Sequence, residues 1–472
     1  MKIEITSEKE RFNEHLNIEN NNNIIFSGIF GIGKTYFLKE FFEENKDFTP
    51  IFISPVHYSI SSNKDIINYI KYDVIFELLK MDLNYEYEKI PLKFTAQQFI
   101  LENITQIFSN VLSHTGKIGK LSSEIINNLS KFYEKVKEHQ DKYVTDDKKE
   151  LIDFLTKITL DEGSLYEENN ITLIISSLLK QIKNPILIID DIDRLDPEHI
   201  FRILNVFAGH LNINGTYSNK FSFEKILIVC DINNIKNIFS SKYGLNTDFN
   251  GYIDKFFHQQ IFHFDNRNEI INNISNIFNK ITANQKIKIF NDDYYPNLVL
   301  KLIVSELIEN NCLNLRTLIK TNNYVFKLRN NYLLITEEFK LNAFLHNYSI
   351  INIFQFLSEI LGSKSNLEEV LKKYIKTVKE KTIYIGENKY LFSPFIFFID
   401  YKKHKQKEGK YQYRNEDFNL TVNYEINNQG YSSNIGELEF KNLKDEQLEY
   451  FPYSKILLEA FNIYSEIKYD KN

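Results

Sequence analysis

Gly28-Ile29-Phe30-Gly31-Ile32-Gly33-Lys34-Thr35 is the stretch whose reading decides the fold. It follows a short apolar run, Ile24-Ile25-Phe26-Ser27, too brief for a helix and read as a strand. A helical pattern follows it from Thr35 to Glu44. Three glycines fall within six positions of a chain that has only 15 in 472 residues. The spacing is that of a phosphate-binding loop (P-loop): Gly, four residues, then Gly-Lys-Thr. Glycine lets the backbone wrap a polyphosphate with its N–H groups turned inward, Lys34 would reach the β- and γ-phosphates, and Thr35 would bind Mg2+. The helix that starts there adds the positive end of its dipole. Gly28, Gly31, Ile32, Gly33, Lys34, Thr35 and Tyr36 are therefore the candidate nucleotide-binding residues, with ATP and Mg2+ the expected ligands.

A second decisive stretch lies far downstream. Ile186-Leu187-Ile188-Ile189 is fully apolar and stops at Asp190-Asp191-Ile192-Asp193-Arg194-Leu195. Uninterrupted apolar runs of this length mark strands covered on both faces. An apolar strand ending in Asp is the Walker B arrangement, which sets a carboxylate beside the cation held by Thr35. Asp190 is the candidate for that role. Asp191 and Asp193 both compete to orient the attacking water, and the residues alone do not choose between them; the plainer reading of either is a loop or helix-cap acid. A helix is expected from Pro197, with Glu198 in its first turn. Lys225–Cys230 reads as another buried strand ending in an acid, Asp231, and Gln260–Phe264 as a last one. Ile51-Phe52-Ile53-Ser54 contributes a further short strand-like run before the helical pattern of Asp65 to Lys80. Strands alternating with helices predict an α/β core with a mainly parallel sheet.

Elsewhere the sequence bounds function by exclusion. Hydrophobic residues at 43% and charged residues at 25% exclude wholesale disorder. A net charge of −6 argues against a whole-surface attraction to nucleic acid or anionic lipid. Two cysteines far apart, Cys230 and Cys312, give neither a disulfide framework nor a thiolate metal site. The charged N-terminus reads as lacking a signal peptide and no window reads as a membrane span, so a cytoplasmic location is expected. Scattered His57, His114, His258 and His263 lack paired ligand spacing, and no catalytic zinc is expected. Leu121, Ile125, Leu129 and Phe132 stand at helical spacing among lysines and are read as packing on the core. The most basic stretch, Tyr401 to Arg414, interleaves tyrosines with lysines; nucleic-acid contact is open there but not favoured over a solvated loop or hairpin.

The P-loop followed by Asp190-Asp191-Ile192-Asp193-Arg194-Leu195 resembles the KAP family of P-loop NTPases, whose second motif reads Asp-Asp-Leu-Asp-Arg. Ile226–Asp231 looks like that family's sensor strand. Gly251-Tyr252-Ile253-Asp254-Lys255-Phe256-Phe257 is similar to its Tyr-Leu-Glu-Lys-Ile segment. Asn314-Leu315-Arg316-Thr317-Leu318-Ile319-Lys320 looks like the Asn-Pro-Arg helix of its lid, with Leu315 in place of the usual Pro. The resemblance runs from about Ile24 to Phe326. It departs at Ile53-Ser54-Pro55-Val56-His57-Tyr58, where many members have Phe-Asn-Ala-Trp, and in the segment between the two Walker motifs, where many carry membrane helices.

The resemblance implies an additional-strand ATPase core. The pattern along the chain divides it into residues 1–266 as an α/β P-loop NTPase core with a helical insertion at about 83–170, residues 267–380 as a helical lid, and residues 381–472 as a C-terminal mixed α/β region. It implies a Mg2+-dependent ATP-binding and hydrolysing regulatory switch, with antiphage defence or signalling as its setting. Asp191, Asp193 and Arg316 are the candidate catalytic residues; Thr35 and Asp190 are the candidate metal ligands. Arg194 is read as a structural ion pair or an intersubunit contact. A protein partner and self-association are expected, with no integral membrane part. A nucleic-acid-dependent motor or loader and an ATP-binding scaffold without turnover remain the alternatives.

Overall fold

Five short apolar runs become five parallel strands: β1 (Asn23–Ser27), β2 (Thr49–Ile53), β3 (Pro185–Ile189), β4 (Lys225–Cys230) and β5 (Phe262–His263). They were traced in a computed structural model that describes residues 5–58, 66–81, 170–180, 182–208, 211–213, 216–218, 220–283, 287–321, 324–327, 332–336, 339–342, 348–403, 409–429 and 432–469. The helical insertion expected at about 83–170 lies outside the described residues, apart from Asn170. The strand order is β2-β3-β4-β1-β5. Every pairing in the sheet is parallel. β4 therefore sits between the strand that leads into the P-loop and the strand that ends at Asp190. This is the additional strand that the resemblance implied.

Register aligns the carboxyl ends. Ser27 pairs with Cys230, Ile189 with Ile228, and Ile53 with Ile189. Backbone bonds continue beyond the strands, from Gly28 N–H to Cys230 O at 3.0 Å and from Asp190 N–H to Ile53 O at 2.9 Å. The loops after β1, β3 and β4 consequently leave one edge of the sheet together, where open α/β sheets place their ligands.

Successive side chains of a strand point to opposite faces. Ile25, Ile51, Ile53, Leu187, Ile189, Ile226, Ile228 and Cys230 enter one core. It is covered by helices α3 (Ile66–Lys80), α4 (Asn170–Leu179), α5 (Pro197–Ala208) and α6 (Ile232–Tyr243). On the other face, α1 (Thr6–Leu16) and α2 (Lys34–Glu44) supply Phe12, Phe37 and Phe41. Phe12 sits edge-on to Phe26 at 5.2 Å and to Phe262 at 5.1 Å, so one aromatic cluster ties α1 to β1 and β5.

The chain divides into two compact units, Thr6–Phe264 and a second formed by Met1–Ile5 with Asp265–Asn472. The second unit is built around α7 (Tyr295–Glu309), the short α8 (Leu315–Ile319), α9 (Ser349–Leu361), α10 (Lys364–Val378), α11 (Ser393–Ile399) and α12 (Tyr453–Glu466). The stretch read as helical, 267–380, also holds an antiparallel hairpin of β6 (Tyr332–Thr336) and β7 (Phe339–Asn342). Tyr332-Leu333-Leu334-Ile335-Thr336 is rich in β-formers, and a run this short carries no period that separates strand from helix. Downstream, β8 (Gly409–Asn415), β9 (Leu420–Gln429) and β10 (Ser432–Lys441) form an antiparallel meander. The basic stretch contributes to it: Tyr413 is buried and donates to Glu459 Oε2 at 2.9 Å, Tyr401 is buried, and Lys403 pairs with Asp400 at 2.9 Å.

Candidate functional site

The loop Gly28–Thr35 crosses from β1 to α2 through two residues in the left-handed region, Gly31 at φ 80° and Gly33 at φ 102°. A side chain is strained at both, so the backbone trace itself requires glycine. Gly28 is constrained by space instead: a Cβ there would lie 3.1 Å from Phe264 O. α2 starts immediately after Gly33, so the N–H groups of its first turn, which a helix leaves without intrahelical acceptors, follow directly on the loop. Lys34 is buried, and its Nζ donates to Gly28 O at 2.7 Å and to Ile29 O at 3.4 Å. Its charge is thus held over the loop by the loop's own carbonyls. Tyr36, in the first turn of α2, is 53% exposed. Ile32 is buried under the loop.

The second motif meets the first directly. Thr35 Oγ1 donates to Asp190 Oδ2 at 2.6 Å, and Asp190 Oδ1 accepts from the Asp191 N–H at 2.8 Å. Burial raises the Asp190 carboxyl above the usual carboxylate range, opposed by the Thr35 hydrogen bond. Two hard oxygen donors in contact, one of them a buried acid, are the donor set that suits Mg2+.

Asp191 and Asp193 differ in what they do. Asp193 is buried; its Oδ2 accepts from the Asp231 N–H at 3.2 Å and from Asn234 Nδ2 at 3.4 Å, and its backbone carbonyl accepts from Asn234 Nδ2 at 3.2 Å. It pins the corner between β4 and α6 to the loop after β3. Asp231 in turn caps α6, its Oδ1 accepting from the Asn233 N–H at 3.0 Å. Asp191 is partly exposed and takes the left-handed conformation at φ 56° and ψ 35°. An aspartate tolerates that region better than most residues, at a cost of roughly 1–3 kcal/mol when locally strained. Its Oδ2 pairs with Arg194 Nη1 at 3.1 Å. The same guanidinium lies 4.5 Å from the centroid of the Phe30 ring at the tip of the P-loop. Cys230, beneath this corner, has its thiol pushed far up by burial, with Asp193 adding to the effect.

The family model of the KAP family P-loop domain matches residues 10–273, more than half of the chain. The protein belongs to the KAP family of P-loop NTPases. No curated protein matches it. The KAP domain match spans the P-loop, Asp190–Arg194, β4 and β5, all of which lie in one compact unit. Arg316 belongs to the other unit, exposed on α8, whose N-cap Asn314 accepts from the Thr317 N–H at 3.0 Å. His57 and His114 fall where no side chain is described. Among the described residues, no helix is long and apolar enough to cross a membrane, and no group of three or more His, Cys, Asp or Glu side chains forms a metal site.

Two residues of this KAP site escaped the sequence reading. Phe30 occupies one of the unspecified positions of the P-loop pattern, and nothing in its spacing signals the contact with Arg194. Asn234 had a weak signal: it stands three residues after the acid that ends β4, where a helix's first turn faces the neighbouring strand ends.

The raised Asp190 carboxyl sets a prediction with a definite sign. A carboxyl raised by folding favours the fold while protonated, and that contribution is lost as pH rises through its folded value. Asp190→Asn should therefore leave the ligand-free protein at least as stable as wild type at neutral pH. It should also lose most of the stabilisation by ATP with Mg2+, which for wild type at 100 times Kd is about 2.7 kcal/mol. Thermal unfolding with and without ligand measures both effects; a variant that keeps the full increment contradicts the metal-ligand assignment.

Proposed function

We propose that this KAP protein is a Mg2+-dependent ATP-binding and ATP-hydrolysing regulatory switch. The observation that carries the reading is the contact between Thr35 Oγ1 and Asp190 Oδ2 at 2.6 Å, beside the buried Lys34. Thr35 and Asp190 would hold Mg2+, which when bound offsets charge on the β- and γ-phosphates. The left-handed glycines present backbone N–H groups to the phosphates, and Lys34 supplies the cation at their end.

Asp191 is the acid proposed to orient the attacking water. Asp193 is engaged by the Asp231 amide and Asn234, whereas Asp191 stands partly exposed one residue beyond the metal-ligand candidate. Water attacks the γ-phosphorus as the bond to the β–γ bridging oxygen breaks, leaving ADP and phosphate; Asp191 accepts the hydrogen bond that aligns the water. The regulatory role, and antiphage defence or signalling as its setting, rest on the family resemblance alone. The motor reading is disfavoured by the tyrosines of the basic stretch: Tyr401 and Tyr413 are buried, and Tyr411 stacks on Tyr424 at 5.5 Å. Side chains committed in this way are poorly placed to stack on bases.

Steady-state phosphate release tests the assignment of the acids. Asp191→Asn should bind ATP normally and turn over roughly 10²–10⁴-fold more slowly. Asp193→Asn should instead destabilise the core by about 1–3 kcal/mol, because a neutral amide oxygen replaces the charged acceptor of the Asp231 N–H and of Asn234 Nδ2. Full turnover by Asp191→Asn contradicts the reading.

Arg316 is proposed to make the α8 segment respond to the γ-phosphate, since only a differential affinity for two states shifts their balance. Hydrogen exchange over residues 306–321 should then differ between ADP and a non-hydrolysable ATP analogue in wild type, and lose that difference in Arg316→Ala. Equal exchange in both wild-type states rejects the switch role.

A further inference from the structure

Arg194 touches both halves of the site at once. It closes the three-residue 3-10 turn Ile192–Arg194, whose capping residue is Asp191. Its backbone N–H bonds to Asp191 O at 3.2 Å, and its side chain returns to Asp191 Oδ2 at 3.1 Å. From there the guanidinium reaches over the Phe30 ring, 4.5 Å from its centroid. Phe30 is 48% exposed. A ring that large at the tip of a phosphate loop does not serve to fill the core, yet it gives the guanidinium a face to rest on.

We infer that Arg194 is a positioning residue that couples the tip of the P-loop to the water-orienting acid. The inference rests on the hydrolysis reading above and extends it. Asp191 is held in the left-handed region, so its backbone direction is fixed and its carboxylate needs only a rotamer to be specified. Arg194 specifies it by pairing with one oxygen, Oδ2, which leaves Oδ1 for water. Phe30 specifies Arg194. Any displacement of the loop tip is thereby passed to the acid, so that the water is aligned when the loop is in its phosphate-gripping shape. An ordinary partly exposed ion pair would contribute little by itself. What sets this one apart is that a single guanidinium meets a carboxylate oxygen at 3.1 Å and lies over an aromatic ring at 4.5 Å. Lysine, a compact ammonium on a flexible stem, does not combine the two.

The test uses the full chain and measures kcat, KM and, by calorimetry, the affinity for Mg2+ with a non-hydrolysable ATP analogue. Arg194→Ala should lower kcat roughly 10- to 100-fold, the scale of losing alignment at a reacting centre, while the analogue affinity stays within about twofold. Arg194→Lys should not recover the loss. Phe30→Leu should lower kcat in the same direction, and Phe30→Tyr, which keeps the ring face, should recover most of it. Arg194→Ala combined with Phe30→Leu should be no slower than the slower single variant, since coupled residues are not additive.

Each other outcome has a meaning. Active wild type with unchanged kcat in Arg194→Ala overturns this inference alone. Affinity falling in step with kcat assigns Arg194 to direct phosphate contact and also overturns it. Additive losses in the double variant sever Phe30 from Arg194. Wild-type protein that binds the analogue yet releases no phosphate from ATP overturns the hydrolysis reading and this inference with it. Thermal unfolding of each variant separates loss of fold from loss of alignment: a variant with a wild-type transition and reduced kcat supports positioning, and a kcat loss seen only in unfolded variants contradicts it.

Discussion

The hydroxyl of Thr35 and the carboxylate of Asp190 are 155 residues apart in the chain and 2.6 Å apart in space. Nearly everything else in the nucleotide-site half of the molecule can be read as the scaffold of that meeting. A parallel sheet brings loops to one edge only if its strands share a direction and a level, which requires crossover helices between them. The register of β1 on β4 and of β3 on β4 supplies the level. Two differently built cores hold that register: an aliphatic one made largely of Ile and Leu, and an aromatic one centred on Phe12 and Phe26. A slip of one residue in β3 would reverse its faces and swing the acid away from Thr35.

Three carboxylates within four residues divide the work by environment. Asp190 is buried, bonded by Thr35 and the next backbone amide, and raised by desolvation. Its ionised form wants a cation. Asp193 is buried too, but it satisfies a backbone amide and an asparagine, so its energy is spent on geometry. Asp191, held in a strained backbone conformation between them, keeps a partly exposed carboxylate paired with Arg194. Strain that persists at a site is tolerated because its surroundings over-determine it. Here those surroundings are the two buried neighbours.

Much of this was legible in the sequence. The loop Gly28–Thr35 is set by glycine chemistry, since Gly31 and Gly33 need a positive φ that other residues avoid. The buried strands β3 and β4 could be read from uninterrupted apolar runs ending in an acid. What could not be read depends on tertiary contact. The proposed choice of Asp191 over Asp193 rests on Asn234 and the Asp231 amide, which lie in a different strand–helix corner. The ring beneath Arg194 comes from a loop position with no sequence constraint of its own. The hairpin at Tyr332–Asn342 was hidden because short apolar runs are ambiguous in period. The tyrosines between the lysines of the basic stretch looked available for stacking, and burial of Tyr401 and Tyr413 shows that they serve packing instead.

The account stands or falls on whether the loop, the lysine and the Thr35–Asp190 pair form one nucleotide site. Lys34 is the most direct probe, because its Nζ is held over the loop by two neutral carbonyls, Gly28 O and Ile29 O, which a phosphate can replace. Calorimetric titration of ATP with Mg2+ into wild type and Lys34→Ala is the decisive measurement. The account predicts saturable, Mg2+-dependent binding to wild type and a loss of at least about tenfold in affinity in the variant, the scale of one charge-assisted contact. Equal affinity in the two proteins, or no binding to a folded wild type, would contradict it.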